Sequence, residues 1–347
     1  MGVKVEGRCG ESVVEFNING MKKQQPIRIR GSVFNQFAVE GTWLRANFHC
    51  HLARVKEDPQ WPVTALEHYK ALGYDVVGGM CHDRIIVPDP VDGIIVMPGA
   101  EVSCGGHLLG IGIESIPEGK KEGERIETIS EMVRAISDCG GISVLAHPFK
   151  SAYTWNELGA FCDAGLDGIE VVNSNVRGKG ADSGRADQLW HNLLREGRLL
   201  IAIGNDDAHG PHEDIGPSGW GGIPHIGFTG ILVKDRSREG VVDALRAGRT
   251  YASEGPEIRS VSIDGEGLMT VRCSPCVACH FRSVGGSWGG ASSFPEDGSP
   301  DAGEITFDFA QQGYRVSDYM TVVLQDVHGR RAWSSPVKTV VDFEEVD

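Results

Sequence analysis

Short apolar runs alternate with amphipathic segments between about residues 44 and 255, and this alternation constrains the fold more than any other feature. The strand-like runs are β-branched and lie at residues 76–77, 94–96, 142–145, 168–172 and 199–203. The helix-like segments lie at residues 63–72, 126–139, 155–164, 184–196 and 239–247. Short apolar strands that alternate with helices form a parallel sheet that is buried on both faces. The number of such units favours an α/β barrel.

The segment 126–139 shows why helices are expected. Ile129, Met132, Val133 and Ile136 have the spacing i, i+3, i+4, i+7, which places them on one apolar face. Gly140 follows at the point where the helix should end.

Three zones are expected along the chain. Residues 1–43 contain alternating stretches that are typical of edge strands and predict an N-terminal β extension. Residues 44–257 are expected to form the α/β domain. From residue 258 strand-like runs alternate with turns rich in Gly, Ser, Pro and Asp, which predicts a small β-sandwich-like domain over residues 258–347.

Composition excludes several classes of protein. The 347 residues carry a formal net charge of −15, which argues against nucleic acid as a partner because tight binding to it depends on neutralising phosphates. Nine dispersed cysteines, an odd number, are typical of reduced thiols. No apolar run approaches the ~18 residues of a membrane span, and no secretory signal is recognisable. We therefore expect a cytoplasmic protein; the sequence contains no signal for its oligomeric state.

Side chains that can bind metals lie at or near the ends of six expected strands. They are His49 and His51, His82, Glu101 with His107, His147, Glu170 within its strand, and Asp207 with His209. In a barrel the C-terminal ends of the strands converge on one rim, where active sites are assembled. Imidazole and carboxylate without thiolate suit Zn²⁺, Mn²⁺ or Fe²⁺. Because one ion does not need so many ligands, the sequence predicts two or three divalent ions.

The order of these motifs resembles the PHP (polymerase and histidinol phosphatase) family of metal-dependent phosphoesterases. The motifs are, in chain order, His49-Cys50-His51, Cys81-His82-Asp83, Gly99-Ala100-Glu101, Leu145-Ala146-His147-Pro148 and Asp206-Asp207-Ala208-His209. The resemblance covers about residues 44–255. Residues 244–256 and 331–336 are similar to a subgroup with a C-terminal β-domain that includes carbamate-hydrolysing members.

The resemblance implies a distorted seven-stranded (β/α) barrel that holds two or three ions. The implied ligands are His49, His51, Glu101 and Asp207 for a first ion, Glu101, His107 and His147 for a second, and His82 and His209 for a third. The family's Ser-Asp-Gly turn after the first motif is absent, and Asp58 stands nearby as the candidate for its carboxylate. Cys81 stands where the family usually has Asp, and Asp206 where it usually has Ser.

The expected function is hydrolysis of a small phosphorylated substrate. Two neighbouring ions would supply hydroxide at neutral pH, held here by Glu101 and Asp207. Loop side chains that could hold the phosphoryl group, or equally be solvated surface charges, are Arg54, Lys56, Arg84, Arg177 and Lys179. His212 and His225, in the glycine-rich loop of residues 210–227, could gate the substrate or protonate the leaving group, or could simply be exposed.

Two other functions stay open. The same hydroxide could attack a carbonyl carbon, as in a hydrolase of a carbamate, amide or ester. Alternatively, the absent Ser-Asp-Gly turn is compatible with a non-catalytic metal- or ligand-binding module. A separate cluster, Cys273, Cys276 and Cys279 with His280, could bind zinc, but adjacent ligands in a strand point to opposite faces, which favours packed thiols.

Overall fold

A computed structural model describes residues 5–8, 11–22, 25–52, 60–119, 122–177, 184–209, 227–284, 286–288, 302–309 and 318–345. The chain divides into two compact units. Unit 1 comprises Met1–Gly41, Leu193–Leu199 and Gly255–Asp347. Unit 2 comprises Thr42–Asn192 and Leu200–Glu254.

The elements are numbered in chain order. The strands are β1 (Val5–Arg8), β2 (Glu11–Lys22), β3 (Gln25–Asn35), β4 (Thr42–Asn47), β5 (Val76–Cys81), β6 (Arg84–Ile85), β7 (Ile95–Ser103), β8 (His107–Ile111), β9 (Ile142–Leu145), β10 (Gly168–Asn173), β11 (Ile201–Asn205), β12 (Phe228–Val233), β13 (Thr250–Ser253), β14 (Ile258–Ile263), β15 (Leu268–Cys276), β16 (Ala278–Ser283), β17 (Gly286–Trp288), β18 (Ala302–Asp308), β19 (Tyr319–Gln325), β20 (Arg331–Ser334) and β21 (Val337–Glu345). The helices are α1 (Trp61–Ala71), α2 (Arg125–Asp138), α3 (Trp155–Asp163), α4 (Ser174–Arg177), α5 (Asp187–Arg195) and α6 (Arg238–Arg246), with a 3-10 turn at Pro148–Lys150.

Unit 2 is built on a curled, mixed sheet. Its strands lie in the order β13–β12–β4–β5–β7–β8–β9–β10–β11, and β6 turns back onto the end of β5. The pairs that flank β8 and β12 are antiparallel and the other pairs of this order are parallel. The α/β class is confirmed, but the expected seven-stranded (β/α) barrel is wrong in strand number and type. The apolar pattern could not reveal β8 and β12 as reversed strands, because a buried strand has the same composition in either direction.

Threonine hydroxyls connect β11 to its neighbours in space. Thr229 Oγ1 donates to the Gly204 carbonyl at 2.8 Å and accepts from the Gly204 N–H at 3.0 Å. Thr250 Oγ1 donates to the Ala202 carbonyl at 3.2 Å. Position 204 requires glycine, because a Cβ there would lie 2.5 Å from the Phe228 carbonyl oxygen. The curl of the sheet therefore brings β11 beside β12 and β13.

A core cluster of unit 2 is formed by side chains from one face of the sheet together with Val241, Ala244 and Leu245 of α6. The predicted apolar face of α2 is confirmed, since Ile129, Met132, Val133 and Ile136 are all 0% exposed. Helix α3 begins with a capping box in which Thr154 and Glu157 satisfy each other's backbone N–H groups. None of the helices in the described part of the chain combines the length and apolar character needed to cross a membrane.

Unit 1 contains two antiparallel sheets. The larger has the order β1–β2–β3–β21–β19–β16–β17, with β20 also paired to β19. The smaller has the order β14–β15–β18. The two sheets pack through aromatic side chains, with the ring centroids of Phe281 and Phe307 5.1 Å apart. The pairing of β3 with β21 includes the N-terminal strands in the larger sheet.

The cysteine motif lies in β15 and β16. Cys273, Cys276 and Cys279 are each at most 1% exposed. Buried and half-buried residues alternate along β16, so Cys279 and His280 point to opposite faces. Among the residues that the structure describes, no group of three close metal-ligating side chains includes these thiols.

Candidate metal centre

Two chain segments that follow β4 and β11 pair with each other and bring four predicted ligands together. The Asp207 N–H donates to the His49 carbonyl at 2.8 Å, and the His51 N–H donates to the Ala208 carbonyl at 2.9 Å. The rings of His49 and His51 lie with their centroids 5.4 Å apart, and the ring of His209 stacks on His51 at 3.8 Å. Residues 156 positions apart, such as His51 and Asp207, therefore become neighbours.

The hairpin of β7 and β8 contributes two more ligands and a meeting point for the rest. Glu101 lies in β7 and His107 begins β8. His82, beyond the end of β5, forms a parallel bridge with Glu101. His147 follows β9, where the Ala146 N–H donates to the His107 carbonyl at 3.2 Å. The ends of β5 and β9 and the β7–β8 hairpin thus direct side chains to one place.

The Glu101 carboxylate is in contact with five imidazoles. Its Oε1 lies 2.6 Å from His107 Nδ1 and 3.0 Å from His147 Nε2, and its Oε2 lies 2.9 Å from His82 Nδ1, 3.2 Å from His51 Nε2 and 3.3 Å from His49 Nε2. Because the two oxygens serve different histidines, Glu101 has the geometry of a bridging carboxylate.

Asp207 provides the second carboxylate. Its Oδ1 lies 3.1 Å from His51 Nε2, 3.2 Å from His49 Nε2 and 3.4 Å from His209 Nδ1. Asp207 and His147 both have left-handed backbone conformations, with φ of 51° and 26°. Such conformations cost on the order of 1–3 kcal/mol for non-glycine residues and are held only where the surroundings demand them. We call the eight residues His49, His51, His82, Glu101, His107, His147, Asp207 and His209 the histidine–carboxylate cluster.

The cluster has a closed floor and an open side. The side chains of His49 and Glu170, which lies in β10, are 0% exposed, and that of Glu101 is 1% exposed. The side chains of His82 and His107 are 42% and 26% exposed, so a ligand can approach from their direction.

Charges within the cluster are strongly coupled. Burial alone would lower the pKa of His49, yet the carboxylates of Asp207, Glu170 and Glu101 raise it well above its ordinary value. For His51, burial opposes hydrogen bonds with Asp207 and Glu101, and these raise its pKa to about 10. Burial would raise the pKa of Asp207, but its histidine neighbours hold it below its usual range. The buried carboxylates therefore require positive charge beside them.

Burial and the charge of His51 lower the pKa of His209, whose ring stacks on that of His51. This pKa is about 4. His209 is consequently neutral at physiological pH, which is the form that binds metals.

The donor atoms of the cluster fit divalent ions. His49 Nε2 and Glu101 Oε2 are buried and lie 3.3 Å apart. With neutral His49 these atoms direct lone pairs at each other, which is unfavourable unless a cation lies between them. Four triads have ligand atoms within 4.8 Å of one another: His51–His82–His209, His49–His147–Asp207, His49–His51–Glu101 and His82–Glu101–His107. These side chains could hold more than one ion.

Glu170 determines how His49 is oriented, a role that sequence reasoning missed. Its Oε1 accepts from His49 Nδ1 and Asn205 Nδ2, both at 2.8 Å. Its Oε2 accepts from the His147 N–H at 2.6 Å and from Asn173 Nδ2 at 3.0 Å. Since all four neighbours are donors, Nδ1 of His49 keeps its proton, so Nε2 is the nitrogen that the neutral ring offers to a metal ion. A glutamate inside an apolar strand was the available signal.

Asp206 lies behind Asp207, on a second buried network. The Tyr69 hydroxyl donates to Asp206 at 2.9 Å and accepts from Asn47 Nδ2 at 3.1 Å. Burial raises the pKa of Asp206 to about 7.

Cys81, at the end of β5, forms a side-chain hydrogen bond with His51.

Of the other predicted site residues, Arg84 alone has a described side chain. Arg84 is exposed in β6. Arg177 ends α4, and its side chain lies outside the described part of the structure. Also outside the described residues are Arg54, Lys56, Asp58, Lys179, His212 and His225.

Comparison with known proteins gave one structural likeness of note. No protein-family model matches the chain, and no curated protein matches it. Among solved structures, it is similar to a two-domain protein from Bacteroides vulgatus ATCC 8482 that contains a predicted PHP-like metal-dependent phosphoesterase. The likeness covers 88% of this chain and 96% of that chain, at 16% sequence identity and a TM-score of 0.48.

Proposed function

We propose that the chain is a metal-dependent hydrolase that cleaves a phosphoric ester in a small phosphorylated substrate. The observation that carries this proposal is the Glu101 carboxylate, buried and in contact with five imidazole nitrogens at 2.6–3.3 Å. Nitrogen and oxygen donors without thiolate suit Zn²⁺, Mn²⁺ or Fe²⁺. The order of the motifs, which resembles that of PHP phosphoesterases, supports a phosphoryl group as the target.

Different residues of the cluster would hold different ions. His49, His51 and Asp207 would hold one ion and His107 and His147 another, with Glu101 as a ligand common to both. His82 and His209 are the ligands left for a third ion. When bound, such ions supply Lewis acidity at neutral pH.

Residues around the ligands hold protons in place and leave one side open. Glu170 keeps the proton of His49 on Nδ1, which leaves Nε2 as a ligand atom. The exposed edges of His82, His107 and His209 mark the side from which a substrate enters. Among the described residues, this open side gives a small substrate access to the cluster.

The location and the partners form part of the same proposal. A net charge of −15 is unsuited to nucleic acid, and dispersed cysteines are typical of a reducing compartment. We propose that the protein is a cytoplasmic enzyme that acts on a small molecule and that its α/β domain covers residues 44–257.

Activity assays test the proposal directly. The protein is stripped of metal, reconstituted separately with Zn²⁺, Mn²⁺ and Fe²⁺, and assayed on a panel of phosphomonoesters and, in parallel, of aryl carbamates and carboxylic esters. We expect phosphomonoester turnover that His49→Ala abolishes. His328→Ala, which removes an exposed histidine in unit 1, is the matched control and should retain full activity.

Each other outcome has a definite meaning. Turnover of carbamates or esters alone would replace phosphoryl chemistry with attack on a carbonyl carbon. Bound metal without turnover of any panel would favour a binding module. Equal phosphomonoester rates for His49→Ala and the parent would remove the cluster from the reaction.

A further inference from the structure

Two turns of unit 2 deliver His107 and His147 to the same oxygen, Glu101 Oε1. The first is the β7–β8 turn at residues 104–106, and the second is the 3-10 turn that follows His147. The two imidazoles also lie in contact, with His107 Nδ1 3.3 Å from His147 Nε2. Because a metal site tolerates little displacement of its ligands, both turns must be fixed relative to each other.

Arg125, the first residue of α2, connects to the second turn. Its Nε and Nη2 donate to the two oxygens of Glu157 at 2.5 and 2.8 Å, and its Nη1 donates to the Ser151 carbonyl at 2.9 Å. Glu157 is also the capping residue of α3, where its Oε2 accepts from the Thr154 N–H at 2.7 Å. One guanidinium therefore fixes the whole segment from the 3-10 turn to the start of α3.

Tyr153, in the same segment, contacts the first turn. The Arg125 guanidinium lies 5.1 Å from the centre of its ring. The Tyr153 hydroxyl is buried and reaches Gly106, where a Cβ would lie 2.0 Å from it. Gly106 directly precedes His107. The tyrosine thus occupies the space in which any other residue at position 106 would place its side chain.

Helix α2 holds the first turn from its other side. Thr128 Oγ1 donates to the Cys104 carbonyl at 2.9 Å. A Cβ on Gly105 would lie 3.3 Å from the Arg125 side chain. Arg125 therefore connects the two turns: it donates to Ser151 after the second turn, and its guanidinium packs on Tyr153, which contacts the first turn at Gly106.

We propose that Arg125 and Tyr153 are positioning residues that fix His107 and His147 around Glu101 Oε1, and thereby set the affinity for the ion bound at that oxygen. The inference rests on the proposed metal centre and adds a residue pair that touches no ligand atom. It predicts a selective effect, since His49, His51 and Asp207 are placed by the pairing of other segments.

Metal titration of the full chain tests the pair. Arg125→Lys keeps the charge but cannot donate to Glu157 through a planar fork and to Ser151 at once. The second variant, Gly106→Ala, adds a methyl group that forces the Tyr153 ring away from the first turn. Arg246→Lys is the matched control, because Arg246 also donates to a backbone carbonyl, that of Gly140, but at the opposite end of α2.

The readout is the affinity of each successive Zn²⁺ ion, measured by competition with a chromophoric chelator, with the histidine count per zinc from X-ray absorption. We expect Arg125→Lys and Gly106→Ala to weaken one ion by about 10–100-fold and the other by less than about threefold. Arg246→Lys should match the parent. Circular dichroism of the metal-free variants establishes that they are folded.

The alternatives are distinguishable. A parent protein that binds no zinc overturns the proposed function together with this inference. A parent that binds two ions, with both variants binding them equally tightly or losing both ions alike, overturns the inference and leaves the proposed function intact.

Discussion

Replacing Glu170 by glutamine tests how the floor of the cluster works. Whichever oxygen the amide nitrogen replaces, it meets two donors, because Oε1 accepts from His49 and Asn205 and Oε2 accepts from His147 and Asn173. If the amide nitrogen replaces Oε2, both hydrogen bonds there are lost. If it replaces Oε1, the bond from Asn205 is lost and His49 keeps its bond by moving its ring proton. Since each unpaired buried group costs about 1–3 kcal/mol, the Glu170→Gln protein should lose about 1–6 kcal/mol of unfolding free energy.

Metal binding should weaken as well, for a distinct reason. With the amide nitrogen beside His49, Nδ1 has to accept a hydrogen bond, so the ring proton moves to Nε2 and blocks the ligand atom. With the amide nitrogen at the other position, the His147 N–H loses its acceptor. Loss of a partner that orients a ligand typically lowers metal affinity about 10–100-fold.

Urea unfolding of the metal-free protein and zinc competition titrations measure the two effects. Asp167→Asn is the matched control, because Asp167 immediately precedes β10, at the opposite end of that strand from the cluster, and accepts from the Ser143 N–H at 2.8 Å. It should reduce stability without changing zinc affinity. If Glu170→Gln bound zinc as tightly as the parent, the role given to Glu170 would be refuted.

Four further perturbations have defined outcomes. The raised pKa values of His49 and His51 keep both protonated near pH 7 in the metal-free protein. Metal loading should therefore release about two protons, which calorimetry in buffers of different ionisation enthalpy counts. Release of no protons would contradict the charge assignment. For the same reason, the stability of the metal-free protein should fall as pH rises from about 6.5 toward about 10, which urea unfolding at several pH values checks. Gly204→Ala places a methyl group 2.5 Å from a carbonyl oxygen of β12 and should cost about 1–3 kcal/mol of unfolding free energy; an unchanged urea midpoint would argue against that close approach. Tyr69→Phe removes the donor at 2.9 Å from buried Asp206 and should lower the free energy of unfolding by about 1–3 kcal/mol. Thermal and urea unfolding measure this loss, and parent-like stability in both would contradict it.

Local patterns predicted the helices and the positions of the ligands along the chain. The spacing of Ile129, Met132, Val133 and Ile136 depends only on the period of a helix, and that face is fully buried. His49, Glu101 and Asp207 were found because each stands at or near a strand end, and the ends of parallel strands meet. Periodicity and order are properties that a single sequence carries.

Long-range pairing was not predictable in the same way. The reversal of β8 depends on the turn at residues 104–106, and the pairing of β3 with β21 joins segments some 300 residues apart. Glu170 was visible as a charged residue in an apolar strand. Its role depends on four donors from remote positions, which no local pattern reveals.

The distances in the cluster follow from pairing of this remote kind. His51 and Asp207 stand 156 residues apart, yet Asp207 Oδ1 lies 3.1 Å from His51 Nε2. The resemblance already implied that Glu101 would be shared between two sets of ligands, whereas the hydrogen bonds from His49 and His147 to Glu170 emerged only from the three-dimensional arrangement.

Anomalous diffraction tests the central claim most directly. Crystals grown with Zn²⁺ and measured on both sides of the zinc absorption edge should show at least two peaks among the cluster side chains, one of them about 2.0–2.2 Å from His49 Nε2. The account would be contradicted by a map in which these imidazoles and carboxylates are well ordered and no zinc peak lies among them.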